Sequence, residues 1–411
     1  MVEHMRARKL VALAVAWILV AAVPVSARTD DALYDQLWGL RRIGAEAAWE
    51  YSRGAGVLIA VIDTGVDLEH PDLRDQLVPG LSVVGEGPPV DGHGHGSLIA
   101  GIAAAAAGNG EGIAGVAPDA KILPVRVFDS AGSATSSRVA RAIRFAVDAA
   151  DRRRAKLVLN LSFVGPSQPQ GTLAGDSSTI FGDEAVKRAI ADAAAAGAVV
   201  VTAAGNDSSP QTAFDPPSHQ GIIVVGASDK NDQCTDFTNY GPGLDILAPG
   251  IGILSTYWSA PDNRSGYAYA DGTSMAVPFV SGAAALLMAE GLNNVETVDR
   301  LISTARGPGV SCKDESSSYR ILDVAAAFGV SRDHIDDDDF SEPSTPIPSA
   351  IILQGDNTDP VMVEPPSGAQ AAEPADQVSE LLQVTPVRVL AASMVFVVLT
   401  MMLVVRTFSE P

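Results

Sequence analysis

Asp63, His95 and Ser274 are the residues of this chain whose types together can make a hydroxyl nucleophilic. An imidazole can take the proton of a serine hydroxyl, and a carboxylate behind the ring fixes its tautomer and stabilises the imidazolium that forms. Each of the three stands where such chemistry can be placed. Asp63 follows the apolar run of residues 57–62, and His95 lies between Gly94 and Gly96, just ahead of an Ala-rich helical pattern. Ser274 opens a stretch dense in Ala, Val and Leu that reads as a buried helix. Unpaired backbone N–H groups and the helix dipole at such an entrance favour a developing negative charge. Gly272 lets a second backbone come close. Pro278 is read as first-turn, where a missing N–H costs little. A fourth residue, Asn206, ends the apolar run that starts at Ala198, and an amide there can donate to an oxyanion.

Taken singly, each residue has an ordinary explanation. An aspartate after a strand is commonly a turn former, Gly-His-Gly is commonly a loop, and a serine before a core helix is commonly an N-cap. His93 rivals His95 as the base, although the two glycines flank His95. His4 and His334 fall in segments outside the expected fold, and His70 and His219 sit in proline-containing turns that read as structural.

The elements that must carry these residues are legible as alternating patterns. Continuous apolar runs over residues 57–62, 121–128, 157–161, 198–204 and 222–227 read as strands covered on both faces. Ala-rich helical patterns over 98–107, 135–150 and 183–196 lie between them. This alternation predicts an α/β fold of three αβα layers around a mainly parallel sheet, with chemistry at the carboxyl ends of strands.

With 411 residues, 47% of them hydrophobic, the chain can bury a sizeable core. A net charge of −21 excludes nucleic acid as a partner and excludes charge-driven binding to anionic membranes. Residues 1–27 read as a signal peptide: Arg6, Arg8 and Lys9, then an apolar run, then the small residues Ser26 and Ala27. Residues 28–330 form the expected globular domain. Residues 331–386, acidic and rich in Pro and Ser, with Asp336 to Asp339 in a row, read as a disordered linker. Residues 387–405 are expected to cross a bilayer as a helix, with 406–411 as a cytoplasmic tail. The arrangement predicts a single-pass type I membrane protein with its domain extracytoplasmic and the lipid bilayer as a partner. Cys234 and Cys312, the only cysteines, can form one disulfide or remain two thiols, and both readings stay open.

Six ordered motifs together resemble the subtilisin-like serine protease family, the subtilases of peptidase class S8. They are Val61-Ile62-Asp63-Thr64-Gly65, Gly94-His95-Gly96-Ser97, Gly115-Val116-Ala117-Pro118, Ala204-Gly205-Asn206, Leu247-Ala248-Pro249-Gly250 and Gly272-Thr273-Ser274-Met275-Ala276. The order Asp, His, Ser is that of subtilisin. The resemblance implies a serine endopeptidase with Asp63, His95 and Ser274 as the triad and Asn206 as the oxyanion donor, needing no cofactor for its chemistry. It also implies a substrate ledge at Ser162, Phe163 and Val164; valine stands where glycine is usual, so the expected P1 preference is for small residues. Asp72 and Asn109 match positions that hold a structural Ca²⁺ in many members, and a glycine-rich surface turn is the alternative there. The lead-in from Leu33 to Trp49 is similar to thermitase-like members, and no full prodomain fits between Ala27 and Leu33. Signal, tether and span also resemble the mycosins, membrane proteases of type VII secretion systems, which implies secretion-system partners. A catalytically silent scaffold on the same fold is the alternative function. An α/β-hydrolase esterase is excluded because Ser274 lacks a Gly-x-Ser-x-Gly elbow.

Overall fold

The computed structural model describes residues 29–163, 180–210, 221–259, 263–313 and 317–331, with the backbone of 362–363. The expected signal peptide, membrane helix and cytoplasmic tail, together with Val164 and His219, lie outside the described residues. Among the described residues no helix is long and apolar enough to cross a membrane.

The strands are β1 (Val57–Asp63), β2 (Leu81–Ser82), β3 (Lys121–Arg126), β4 (Lys156–Leu161), β5 (Val199–Ala203), β6 (Ile222–Ser228), β7 (Ile246–Pro249), β8 (Ile253–Ser259), β9 (Arg264–Ala270), β10 (Arg306–Val310), β11 (Tyr319–Ile321) and β12 (Met362–Val363). Nine of them form one sheet in the order β10-β11-β7-β6-β5-β4-β1-β3-β2. Every pairing in it is parallel except β10 with β11. The helices are α1 (Trp38–Arg42), α2 (Ala45–Trp49), α3 (His95–Ala104), α4 (Ser136–Arg153), α5 (Glu184–Ala195), α6 (Thr273–Ala289), α7 (Asn294–Thr304) and α8 (Val324–Ala327). The expected three-layer αβα fold is therefore present.

Side chains alternate along a strand, so each apolar strand feeds two cores. Val57, Ile59 and Val61 join α3 and α6 on one face, whereas Leu58, Ala60 and Ile62 join α4 and α5 on the other. By the same period Asp63 faces the α3–α6 layer, and this parity fixes which helices can bring it partners.

Helix α6 has core on nearly every side. From Thr273 to Met288 every residue is buried except Ser274. The helix starts at Thr273, which puts Pro278 in its second turn rather than its first. A residue there would normally donate to the carbonyl four positions earlier. Proline cannot, and the Ser162 hydroxyl takes its place, donating to Ser274 O at 3.0 Å.

Two features were not expected from the pattern. The antiparallel pair β8–β9 lies outside the large sheet. It buttresses α3, with Ser255 Oγ and Thr256 Oγ1 each donating at 2.7 Å to the carbonyls of Leu98 and Ser97. The second feature is β12, which pairs antiparallel with β9 at Ala268 and Tyr267 inside the segment expected to be a disordered linker. Val361, Met362 and Val363 are an apolar island in that acidic tract, with residue types suited to a strand.

The cysteines do meet. Cys234 and Cys312 form a disulfide with Cα atoms 5.2 Å apart, closing a separation of 78 residues. Nearby, Asp232 accepts from both Arg42 (2.8 Å) and Arg306 (2.6 Å), tying the lead-in to β10. A crosslink over such a loop stabilises by about 4 kcal/mol through the unfolded chain. Replacing both cysteines by alanine should lower the free energy of denaturant unfolding by an amount of that order. An unchanged midpoint would show that the bridge constrains nothing the fold does not already hold.

Candidate active site

Asp63 is fully buried at the end of β1, the strand that β3 and β4 flank. Its Oδ1 lies 2.8 Å from His95 Nδ1 and accepts from Thr64 N at 2.7 Å. Its Oδ2 is buried and has no hydrogen-bond partner among the described residues. The carboxylate therefore accepts from Nδ1–H, which leaves Nε2 as the base nitrogen in the neutral ring. The ring retains 25% of its side-chain exposure, so one edge is shielded by the acid and the other is open.

Two glycines bring His95 to that place. A Cβ on Gly94 would lie 2.2 Å from the Tyr257 ring, and one on Gly96 would lie 2.0 Å from Gly65 O. The chain is thus pressed between β8 and the loop after β1. His93, the rival base, is on the exposed side of the turn, and Asp63 takes His95.

The turn is wired by Asp91, whose role the sequence alone does not reveal. Its buried Oδ1 accepts from Thr64 Oγ1 (2.8 Å), His93 N (2.9 Å) and Gly94 N (2.8 Å). Its Oδ2 accepts from Ser97 N (2.9 Å) and Ser97 Oγ (2.6 Å). Thr64 Oγ1 in turn accepts from Gly96 N at 2.9 Å, so the loop after β1 and the first turn of α3 share one network. Its spacing, four residues before His95, was the available signal.

Burial disfavours the charged ring of His95. The charge and hydrogen bond of Asp63, helped by Asp91, outweigh that effect and raise the pKa above its ordinary value.

At α6 the exposed Asn206 has its Oδ1 fixed by two donors from Thr273, the backbone N at 2.9 Å and Oγ1 at 2.8 Å. That leaves Nδ2 directed past Gly272. A Cβ at Gly272 would sit 3.3 Å from Asn206 Nδ2 and 3.7 Å from Ser274 N, so two N–H donors border the space that glycine leaves open. This is where an oxyanion formed by attack from Ser274 could be held.

Of the expected ledge, Ser162 and Phe163 are among the described residues. Ser162 Oγ is engaged with Ser274 O and with Asn160 Nδ2, the latter at 2.8 Å. Phe163 turns into the core, stacked on Phe181 at 5.5 Å and edge-on to Phe128 at 5.3 Å. Both side chains are thus engaged within the protein itself.

Asp72 and Asn109 do come together. Asp72 Oδ1 accepts from Asn109 Nδ2 at 3.0 Å, and Oδ2 accepts from Ile113 N and Tyr267 OH, both at 2.9 Å. Burial and the Asp72 charge push the Tyr267 hydroxyl far above its ordinary pKa, so it stays a donor. Among the described residues no three His, Cys, Asp or Glu side chains are gathered to hold a metal. The Asn109 amide is held from both ends, its Oδ1 accepting from Glu111 N at 2.9 Å. A hard cation here would take Asp72 Oδ1 and Asn109 Oδ1 only if the amide gave up that bond and turned. His70 is structural, as expected. It is buried, with Nε2 on Gly266 O (2.9 Å), its ring edge-on to Tyr267, and burial lowering its pKa.

A parallel α/β sheet with the Asp63–His95 pair at the carboxyl end of β1, and Ser274 at the entrance of α6, is a layout suited to a serine hydrolase. The Subtilase family model matches residues 54–329, and the chain belongs to that family of serine-type endopeptidases. It is 42% identical over 270 residues to a thermophilic serine proteinase of Bacillus sp. (strain AK1), covering 65% of this chain and 61% of that one. It is 39% identical to thermitase of Thermoactinomyces vulgaris, covering 64% of this chain and 85% of the relative. A solved protease from Pseudoalteromonas arctica PAMC 21717 aligns with a TM-score of 0.63 at 29% identity, over 73% of this chain and 98% of that one.

The raised pKa of His95 has a kinetic sign. The protonated ring cannot accept the serine proton, so the acid limb of kcat/KM should have its midpoint above 6.5. Asp63→Asn should lower kcat by about 10⁴-fold by freeing the wrong tautomer. An acid limb at or below the ordinary histidine value would contradict the Asp63–His95 pairing.

Proposed function

We propose that the chain is an extracytoplasmic, membrane-anchored serine endopeptidase in which Ser274 attacks the peptide carbonyl. His95 takes the hydroxyl proton through Nε2 and returns it to the leaving amine. Asp63 holds the Nδ1–H tautomer and stabilises the imidazolium. Asn206 Nδ2 and Ser274 N receive the oxyanion, and the acyl-enzyme is then hydrolysed by water in the same sequence. The backbone at residues 162–163 would pair with the extended substrate as an added strand, with Val164 narrowing the pocket towards small P1 residues.

The observation that carries this reading is the 2.8 Å contact of His95 Nδ1 with the buried Asp63 carboxylate, on the layer that also holds Ser274. A fluorophosphonate probe should label the wild type at Ser274, and both label and peptidase turnover should vanish in Ser274→Ala. A folded wild type that takes no label would replace this reading with the silent scaffold.

Export is supported by the leader pattern of residues 1–27 and by a disulfide, a bond that persists in oxidising compartments. The anchor is supported by the apolar run of residues 389–405, and the relation to mycosins by the order of these segments alone.

No cofactor enters the chemistry. We further propose a structural Ca²⁺ held by Asp72 and Asn109 with neighbouring carbonyls, which would neutralise the buried carboxylate and stiffen the 108–113 loop. Chelation should then lower Tm, and added Ca²⁺ should restore it. A Tm unmoved by either treatment would leave Asp72 as a hydrogen-bond node for Tyr267 and the loop.

A further inference from the structure

The segment that presents Asn206 is held from a side that neither the triad nor α6 supplies. It emerges from β5 as Ala204-Gly205-Asn206-Asp207-Ser208-Ser209, with Asn206 and Asp207 exposed. Gly205 (φ 104°) and Ser208 (φ 54°) both lie in the left-handed region, so the path is a local excursion rather than a regular turn. Thr273 fixes the end of the Asn206 side chain, but it reaches the backbone of this segment only at Gly205 N (3.2 Å).

Asn239 fixes much of the rest. Its side chain is largely buried, 9% exposed, beside the segment. Its Nδ2 donates to Ala204 O at 3.1 Å, two residues before Asn206. Its Oδ1 accepts from Asp207 N at 2.9 Å and Ser209 N at 3.1 Å, just after Asn206. Its own backbone N donates to Gly205 O at 2.9 Å. One residue therefore grips the chain on both sides of the oxyanion donor. The grip needs an amide, since a donor must face a carbonyl on one side and an acceptor must face two N–H groups on the other.

Asn239 is itself anchored. Thr238 Oγ1 accepts from Ala227 N of β6 at 3.1 Å, and Tyr319 OH of β11 accepts from Gly241 N at 2.8 Å. The large sheet thus supplies a fixed base from which Asn239 reaches the segment after β5.

We infer that Asn239 is a positioning residue for the oxyanion donor, acting through the backbone around Asn206. The inference rests on the peptidase reading above. Removing an oxyanion donor of this kind costs about 10²–10³ in turnover in subtilisin, a member of this family, and a misplacement of about 1 Å can cost a comparable factor. A loosened Asn206 should therefore show itself in kcat and leave ground-state binding alone.

The test is a double-mutant cycle on a peptide substrate, with active-site titration so that only folded enzyme is counted. Asn239→Ala should lower kcat on the order of 10–100-fold with KM changed by less than about twofold. In an Asn206→Ala background the same substitution should cost less than about twofold more, because the donor it positions is gone. Equal losses in both backgrounds, or an undiminished kcat, would overturn the inference. Should Asn239→Ala fail to fold, Asn239→Asp carries the same cycle. It keeps the bonds accepted from Asp207 N and Ser209 N and replaces the donor to Ala204 O by an oxygen that repels it, and the same two outcomes decide. A wild type without turnover would sink the peptidase reading itself, a result distinct from a wild type that turns over and an Asn239 variant that matches it.

Discussion

A carboxylate buried in the interior is costly unless it is paired, and Asp63 has few partners. One oxygen meets a ring nitrogen and a backbone N–H; the other has no hydrogen-bond partner among the described residues. Much of the surrounding architecture can be understood as holding that ring in place. β1 has a strand on either side, so the position of Asp63 is fixed by two parallel registers. Asp91 gathers five donors to shape the turn that delivers His95, and β8 presses on the turn from outside. Truncating the histidine would leave an uncompensated buried charge, so the pair serves structure and chemistry together.

The second constraint is the crowding of α6. A helix buried along its whole length must present its nucleophile at its end. That end is also where its backbone N–H groups are unpaired. Ser274 is the residue there that keeps access to solvent. Pro278 removes a donor one turn deeper, and Ser162 repairs the loss from β4's end. Asn160 accepts from Ser281 of α6 at 2.8 Å and donates to Ser162, so strand and helix are locked beside the site. The end of β4 and the entrance of α6 thus belong to one hydrogen-bonded unit.

The strands that carry Asp63 and Asn206 were legible because buried parallel strands are continuous apolar runs, and their ends fall at the chemistry. The helix of Ser274 was legible for the same reason. Less visible were elements whose stability comes from neighbours rather than from pattern. β9, with the sequence Arg-Ser-Gly-Tyr-Ala-Tyr-Ala, lacks a clean alternation and forms through pairing with β8. The apolar pattern puts Pro278 a turn too early, because the helix start is set by the Gly272 turn, which composition does not resolve. Asp91 and Asn239 carry little signal because their roles depend on partners distant in sequence: Thr64 for one, and Ala204, Asp207 and Ser209 for the other. The meeting of Cys234 and Cys312 is likewise a property of the fold, reached only when β11 is laid beside β7.

A crystal structure with a peptide boronate would test the account most directly. The prediction is a tetrahedral boron on Ser274 Oγ, one oxygen within about 2.7–3.1 Å of both Asn206 Nδ2 and Ser274 N, and the His95 ring still on Asp63. A boronate bound elsewhere, or a His95 ring turned away from Asp63 in the adduct, would contradict it.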